Sequence, residues 1–93
     1  MGKKAQWVVR VMQMPGGEFE TAEIGEGVGW FDTREILART LKQGTARVEL
    51  YRGPTLLRVM FAKRERWDLA RVDRIEAIIG TLYEDMLGRK QRG

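Results

Sequence analysis

Hydrophobic and polar residues alternate along two pairs of short segments, and a turn joins the members of each pair. Residues 6–14 are rich in β-branched side chains and stop at Pro15-Gly16-Gly17, after which residues 18–24 supply a weakly amphipathic partner. Residues 45–52 and 55–63 alternate more clearly about Gly53 and Pro54. The pattern therefore predicts two β-hairpins.

The second hairpin also has a predicted register, because a two-residue loop at Gly53 and Pro54 sets Arg52 opposite Thr55. Three apolar pairs then form the buried face: Leu50 with Leu57, Val48 with Val59, and Ala46 with Phe61. Three mixed pairs form the opposite face: Tyr51 with Leu56, Glu49 with Arg58, and Arg47 with Met60. This register predicts one ion pair, between Glu49 and Arg58.

A first helix is predicted over residues 33–43. Asp32 is placed to cap its start while Glu35 reaches back, and Phe31 is placed to pack against Ile36. Gly44 supplies the C-terminal stop. The segment therefore has both a start signal and an end signal.

A second, longer helix is predicted from a cap at Asp68 to about Leu87, closed by Gly88. Its apolar stripe is broad, as expected of a helix that lies across a sheet. The stripe comprises Leu69, Val72, Ile75, Ile78, Ile79, Leu82, Met86 and Leu87. The element order ββαββα predicts an α+β fold, with an antiparallel sheet packed on one side by two helices.

The chain length of 93 residues fits one domain with one core. The basic ends, residues 1–5 and 89–93, are expected to be flexible. No apolar run is long enough to span a bilayer, and the first residues do not resemble a secretory signal. We therefore expect a soluble, cytoplasmic protein without a membrane partner.

The chain contains no Cys, His, Ser or Asn, which removes the commonest nucleophiles, the usual proton shuttle and the thiolate metal ligands. Carboxylates remain, but Glu18, Glu20, Glu23 and Glu26 show no convincing catalytic pairing. The glycine-rich loop at residues 25–29 does not match a nucleotide-binding motif. We expect a non-enzymatic protein that needs neither a cofactor nor a metal.

The basic balance favours a nucleic-acid partner, with a net charge of +4 and a pI near 9.9. One candidate contact set lies on the strand faces opposite the predicted core: Arg10, Arg47, Tyr51 and Arg58. A second lies between the last strand and the last helix: Lys63, Arg64 and Arg66. We expect the neighbouring Trp67 to pack as an anchor for that helix. The pattern does not distinguish DNA from RNA.

The alternative is a protein-interaction module, such as a homodimer or a regulatory adaptor. In that case the apolar stripe of the second helix is too broad for its own sheet to cover. The candidate interface residues are Ile78, Leu82, Met86 and Leu87. Nucleic-acid binding is the leading hypothesis, and protein binding is close behind it.

Overall fold

Two hairpins and two helices alternate along the chain, in the ββαββα order that the hydrophobic pattern predicts. The computed structural model describes residues 6–25 and 28–92, and the side chains as far as residue 88. The elements are β1 (Trp7–Met14), β2 (Phe19–Ile24), α1 (Trp30–Gln43), β3 (Thr45–Arg52), β4 (Thr55–Ala62) and α2 (Asp68–Arg92). The predicted flexible N-terminus and two positions of the glycine-rich loop, 26 and 27, lie outside the described residues.

The four strands form one antiparallel sheet in the order β2-β1-β3-β4. The two central strands, β1 and β3, pair along their whole length, with Val9 opposite Leu50 and Val11 opposite Val48. Strands β2 and β4 form the two edges. Both helices pack on one side of this sheet, so the predicted α+β architecture is confirmed.

Every second residue of the central strands enters a single core on the helix-covered side, which we call the inner face. Val9, Val11, Val48 and Leu50 are at most 1% exposed. The helices complete this core with apolar side chains spaced to lie on one side of each helix. They are Ile36, Leu37 and Leu41 of α1 and Ile75, Ile78, Ile79 and Leu82 of α2.

The predicted register of the second hairpin is correct only beside the turn. Arg52 lies opposite Thr55 and Tyr51 opposite Leu56, but a register shift follows between Leu50 and Tyr51. Three pairs beyond it replace the predicted ones: Leu50 with Arg58, Glu49 with Val59, and Arg47 with Phe61. The predicted buried pairs and the ion pair between Glu49 and Arg58 are therefore wrong.

The physical reason is a β-bulge in β4, because one extra residue moves every later side chain to the other face of the sheet. Met60 and Ala62 consequently pack on the core. Arg58 also lies on the helix side, where its Nε and Nη2 donate hydrogen bonds to the Asp85 carboxylate of α2. These hydrogen bonds raise the pKa of Arg58. The bulge thus ties the edge strand β4 to α2.

Helix α1 begins three residues earlier than its sequence pattern predicts. Gly29 caps the helix with φ of 101°, and a Cβ at this position would collide with the backbone of β2. Thr33 is fully buried and donates its hydroxyl hydrogen to the Gly29 carbonyl oxygen at 2.9 Å. Asp32 makes no capping hydrogen bond and Phe31 is 71% exposed, so the predicted cap and hydrophobic contact are wrong.

The two helices are joined at the surface by an ion pair. Arg34 of α1 donates two hydrogen bonds to the Glu76 carboxylate of α2, at 2.7 and 3.1 Å. These bonds lower the pKa of Glu76 and raise the pKa of Arg34. Helix α2 continues through Gly88 to Arg92 instead of ending near Leu87. Within the described residues, neither helix combines the length and the apolar character needed to cross a bilayer.

The shifted register gives a direct stability test. Replacing Leu50, which is fully buried, by Ala should lower the free energy of unfolding by about 2–5 kcal/mol. Phe61→Ala should lower it by no more than about 1 kcal/mol, because this side chain is on the uncovered side and 61% exposed. Urea denaturation measures both. A decrease for Phe61→Ala as large as that for Leu50→Ala would return Phe61 to the core and contradict the bulge.

Candidate nucleic-acid interface

The sheet face turned away from the helices, which we call the outer face, receives side chains from all four strands. Strand alternation places these residues opposite the core positions. They are Val8, Arg10 and Met12 of β1, Phe19, Thr21 and Glu23 of β2, Arg47, Glu49 and Tyr51 of β3, and Leu56, Val59 and Phe61 of β4. Because both helices pack on the inner face, neither α1 nor α2 covers this surface.

A carboxylate lies at the centre of the outer face. Glu49 is only 5% exposed, since its neighbours close over it. Arg47 Nε donates to Glu49 Oε2 at 2.9 Å, and the Tyr51 hydroxyl donates to Oε1 at 3.1 Å. Arg10 Nη1 lies 3.6 Å from Oε1 and donates to the Tyr51 hydroxyl at 3.3 Å. We call these four residues the Glu49 cluster; its two cations and one anion leave one positive charge.

Three aromatic rings border the Glu49 cluster or belong to it. The Arg10 guanidinium carbon lies 4.0 Å from the centroid of the Phe19 ring and 5.6 Å from that of Tyr51. The Arg47 guanidinium carbon lies 5.5 Å from the Phe61 centroid. These distances are typical of cation–π contacts. Cations and rings therefore alternate across the sheet from β2 to β4.

The structure brings together three of the four residues predicted for this face. Arg10, Arg47 and Tyr51 share it, whereas Arg58 is on the inner face with Asp85 and does not. The sequence prediction omits Phe19 and Phe61. The sequence contains a signal for Phe19, because alternation along the strand places it on the same face as Thr21 and Glu23. It contains none for Phe61, because the bulge in β4 moves this ring to the outer face.

The predicted second contact set lies in the segment between β4 and α2, which we call the connector (residues 63–67). Lys63 and Arg64 are exposed, and so is Arg66. None of the three forms a salt bridge with a carboxylate among residues 6–25 and 28–88. Trp67 is 77% exposed, so the prediction that it anchors the helix is wrong.

Most of the residues predicted for an oligomer interface pack within the core of the single chain. Ile78 and Leu82 are 2% and 0% exposed within its core, and Met86 packs against that core. Leu87 is the exception, with 40% of its surface exposed. The helices and sheet therefore cover most of the stripe, and self-association through α2 stays a prediction.

The acidic residues of β2 form no metal-binding cluster in the part of the chain that the structure describes. Glu20 borders a shallow depression between β2 and α1, where Arg39 Nη2 donates to its carboxylate at 2.9 Å. No cluster of three or more potential metal ligands occurs among the described residues. The outer face and the connector are therefore the stronger candidates for a functional surface.

Comparison with known proteins does not identify a relative. No family model matches the chain, and neither the curated proteins nor the solved structures give a significant match.

The buried carboxylate of the Glu49 cluster should contribute to stability. Glu49→Gln removes the negative charge that two arginines share, so we expect the free energy of unfolding to fall by about 1–3 kcal/mol. Glu20→Gln is the matched control, because its pair with Arg39 is exposed and should contribute less than about 1 kcal/mol. Urea denaturation measures both variants. Equal decreases in the free energy of unfolding would contradict a larger stabilising role for Glu49 than for an exposed ion pair.

Proposed function

We propose that this protein is a non-catalytic nucleic-acid-binding module that takes up single strands on its outer face. The observation that carries the proposal is the combination of three aromatic rings and two arginines on an uncovered sheet face. Bases of a single strand stack on such rings, while arginine side chains contact the phosphates. A duplex keeps its bases stacked on one another and offers no base face to the rings.

The rings are spread over three strands, which suits a nucleic-acid strand that crosses the sheet. Phe19 belongs to β2, Tyr51 to β3 and Phe61 to β4, and Phe61 is the most accessible of the three at 61% exposed. Stacking on aromatic rings tolerates any base, because every base has a π face. The proposed binding is therefore independent of sequence, and DNA and RNA are both candidates.

The Glu49 cluster supplies positive charge in a fixed position. The Arg10 and Arg47 side chains remain 37% and 30% exposed while they contact Glu49. A guanidinium has five N–H donors, so contact with one carboxylate leaves donors for a phosphate. Since Glu49 already orders both side chains, less conformational entropy is lost when a phosphate binds.

A second candidate function is association with another protein or a second copy of the chain. The observation that favours it is the apolar character of the edge strand β4. Leu56, Val59 and Phe61 are 43%, 37% and 61% exposed on that strand. An exposed apolar edge strand is a template for pairing with another chain. This surface differs from the α2 stripe that the sequence suggests.

The nucleic-acid proposal is tested by fluorescence anisotropy with labelled single-stranded and duplex oligonucleotides of DNA and RNA over a salt series. We expect single strands to bind more tightly than duplexes. The logarithm of affinity should fall linearly with the logarithm of salt concentration, by about 0.7 for each phosphate neutralised. No binding of any oligonucleotide at low salt would overturn the proposal, and a mass in solution that rises with concentration would favour the second candidate.

Replacing an outer-face ring should weaken binding without unfolding the protein. Phe61→Ala should lower the affinity for a single strand by about 5- to 150-fold, because stacking of one base on one ring contributes about 1–3 kcal/mol. Phe31→Ala is the matched control, because this ring is similarly accessible, at 71% exposed, but lies on α1. Equal effects of the two variants would argue against a role for the outer face.

A further inference from the structure

The connector holds uncompensated positive charge beside an exposed indole ring. Lys63, Arg64 and Arg66 have no carboxylate partner within the described residues, and Trp67 has more than three quarters of its surface in solvent. Most other arginines of the described chain, including those of the Glu49 cluster, are paired with a carboxylate. The connector is thus the densest unpaired positive segment that the structure describes.

The acidic residues within and beside the connector do not neutralise it. Glu65 accepts a hydrogen bond from Arg74 Nε at 3.2 Å, and Asp68 accepts one from Arg71 Nη1 at 2.7 Å. Both donors belong to α2. The two carboxylates are therefore engaged by the helix, and the three connector cations remain available to an anion from outside.

The connector is also held in a defined shape. The Glu65 backbone N–H donates to the Leu41 carbonyl oxygen near the end of α1, at 3.3 Å. Arg71, whose side chain is only 13% exposed, donates from Nη2 to the Glu65 carbonyl oxygen at 3.1 Å. These contacts fix the backbone while the basic side chains and Trp67 stay in solvent. A ligand that binds there has little backbone left to order.

The connector follows β4 directly along the chain. Phe61 lies on the outer face near the end of β4, and Lys63 begins the connector two residues later. Trp67 lies six positions after Phe61, so their backbone positions are at most about 22 Å apart along an extended chain. A flexible nucleic-acid strand bound at Phe61 can therefore reach the connector.

We infer that the connector extends the single-strand site beyond the sheet, with Trp67 stacking on a base and Lys63, Arg64 and Arg66 contacting phosphates. This inference rests on the proposed function. The occupant follows from charge and shape, because unpaired cations attract a polyanion and an exposed indole offers a flat surface to a base. An anionic lipid surface would be attracted by the same charge, so binding to lipid vesicles is a separate outcome of the test.

The test measures binding of a single-stranded oligonucleotide of about 16 nucleotides. This length is at the upper end of the site sizes of single-strand-binding OB-fold domains. Trp67→Ala should weaken binding about 5- to 150-fold, whereas Trp67→Phe, which keeps a ring, should retain most of the affinity. Changing Lys63, Arg64 and Arg66 together to Gln should make the logarithm of affinity depend less steeply on the logarithm of salt concentration. The slope should fall in magnitude by about 2, because each phosphate that a cation neutralises adds about 0.7 to it. Leu69→Ala, at a nearby residue that is 75% exposed, is the control for a general surface effect.

The outcomes separate the two proposals. If Phe61→Ala weakens binding and Trp67→Ala does not, the extension to the connector is overturned and the outer-face function stands. If the unaltered protein binds no oligonucleotide, the proposed function itself is overturned. If it binds vesicles of phosphatidylserine through Trp67 but no oligonucleotide, the connector serves a lipid surface and the inference is overturned as well. A circular-dichroism spectrum matching that of the unaltered protein establishes that each variant is folded.

Discussion

The register shift in β4 is the constraint on which both faces of the sheet depend. One extra residue between the turn and Arg58 directs Arg58 toward the helices, where it binds Asp85, and directs Phe61 toward the open side. The same shift brings Met60 and Ala62 into the core. A single local irregularity therefore fastens an edge strand to α2 and gives the outer face its most exposed ring.

Glu49 contributes to the stability of the outer face and holds its arginine side chains where a ligand can reach them. A buried carboxylate without partners would be costly, but Arg10, Arg47 and Tyr51 surround this one and satisfy it. The arrangement holds two cations and a ring in place on a surface that neither helix covers. The same contacts that offset the burial of Glu49 also organise the side chains that we propose bind phosphate.

Sequence alone predicts the element order, the two-helix layer and most core positions, because these follow from periodicity and turn residues. It does not predict the bulge, since an alternating strand looks equally regular in either register until a partner is chosen. Because the bulge is not predicted, Arg58 and Phe61 are each assigned to the wrong face of the sheet. Helix α1 starts earlier than its pattern indicates because Gly29 and the buried Thr33 outweigh the capping signal at Asp32. The size of Trp67 favours the interior, and only the structure reveals its exposure.

The central claim is that the outer face and the connector together receive a single-stranded nucleic acid. The most direct measurement is an NMR titration that follows backbone amide shifts as an oligonucleotide is added. We predict shifts in all four strands and in residues 63–67, with little change in the middle of α1. An absence of shifts, or shifts confined to the two helices, would contradict the claim.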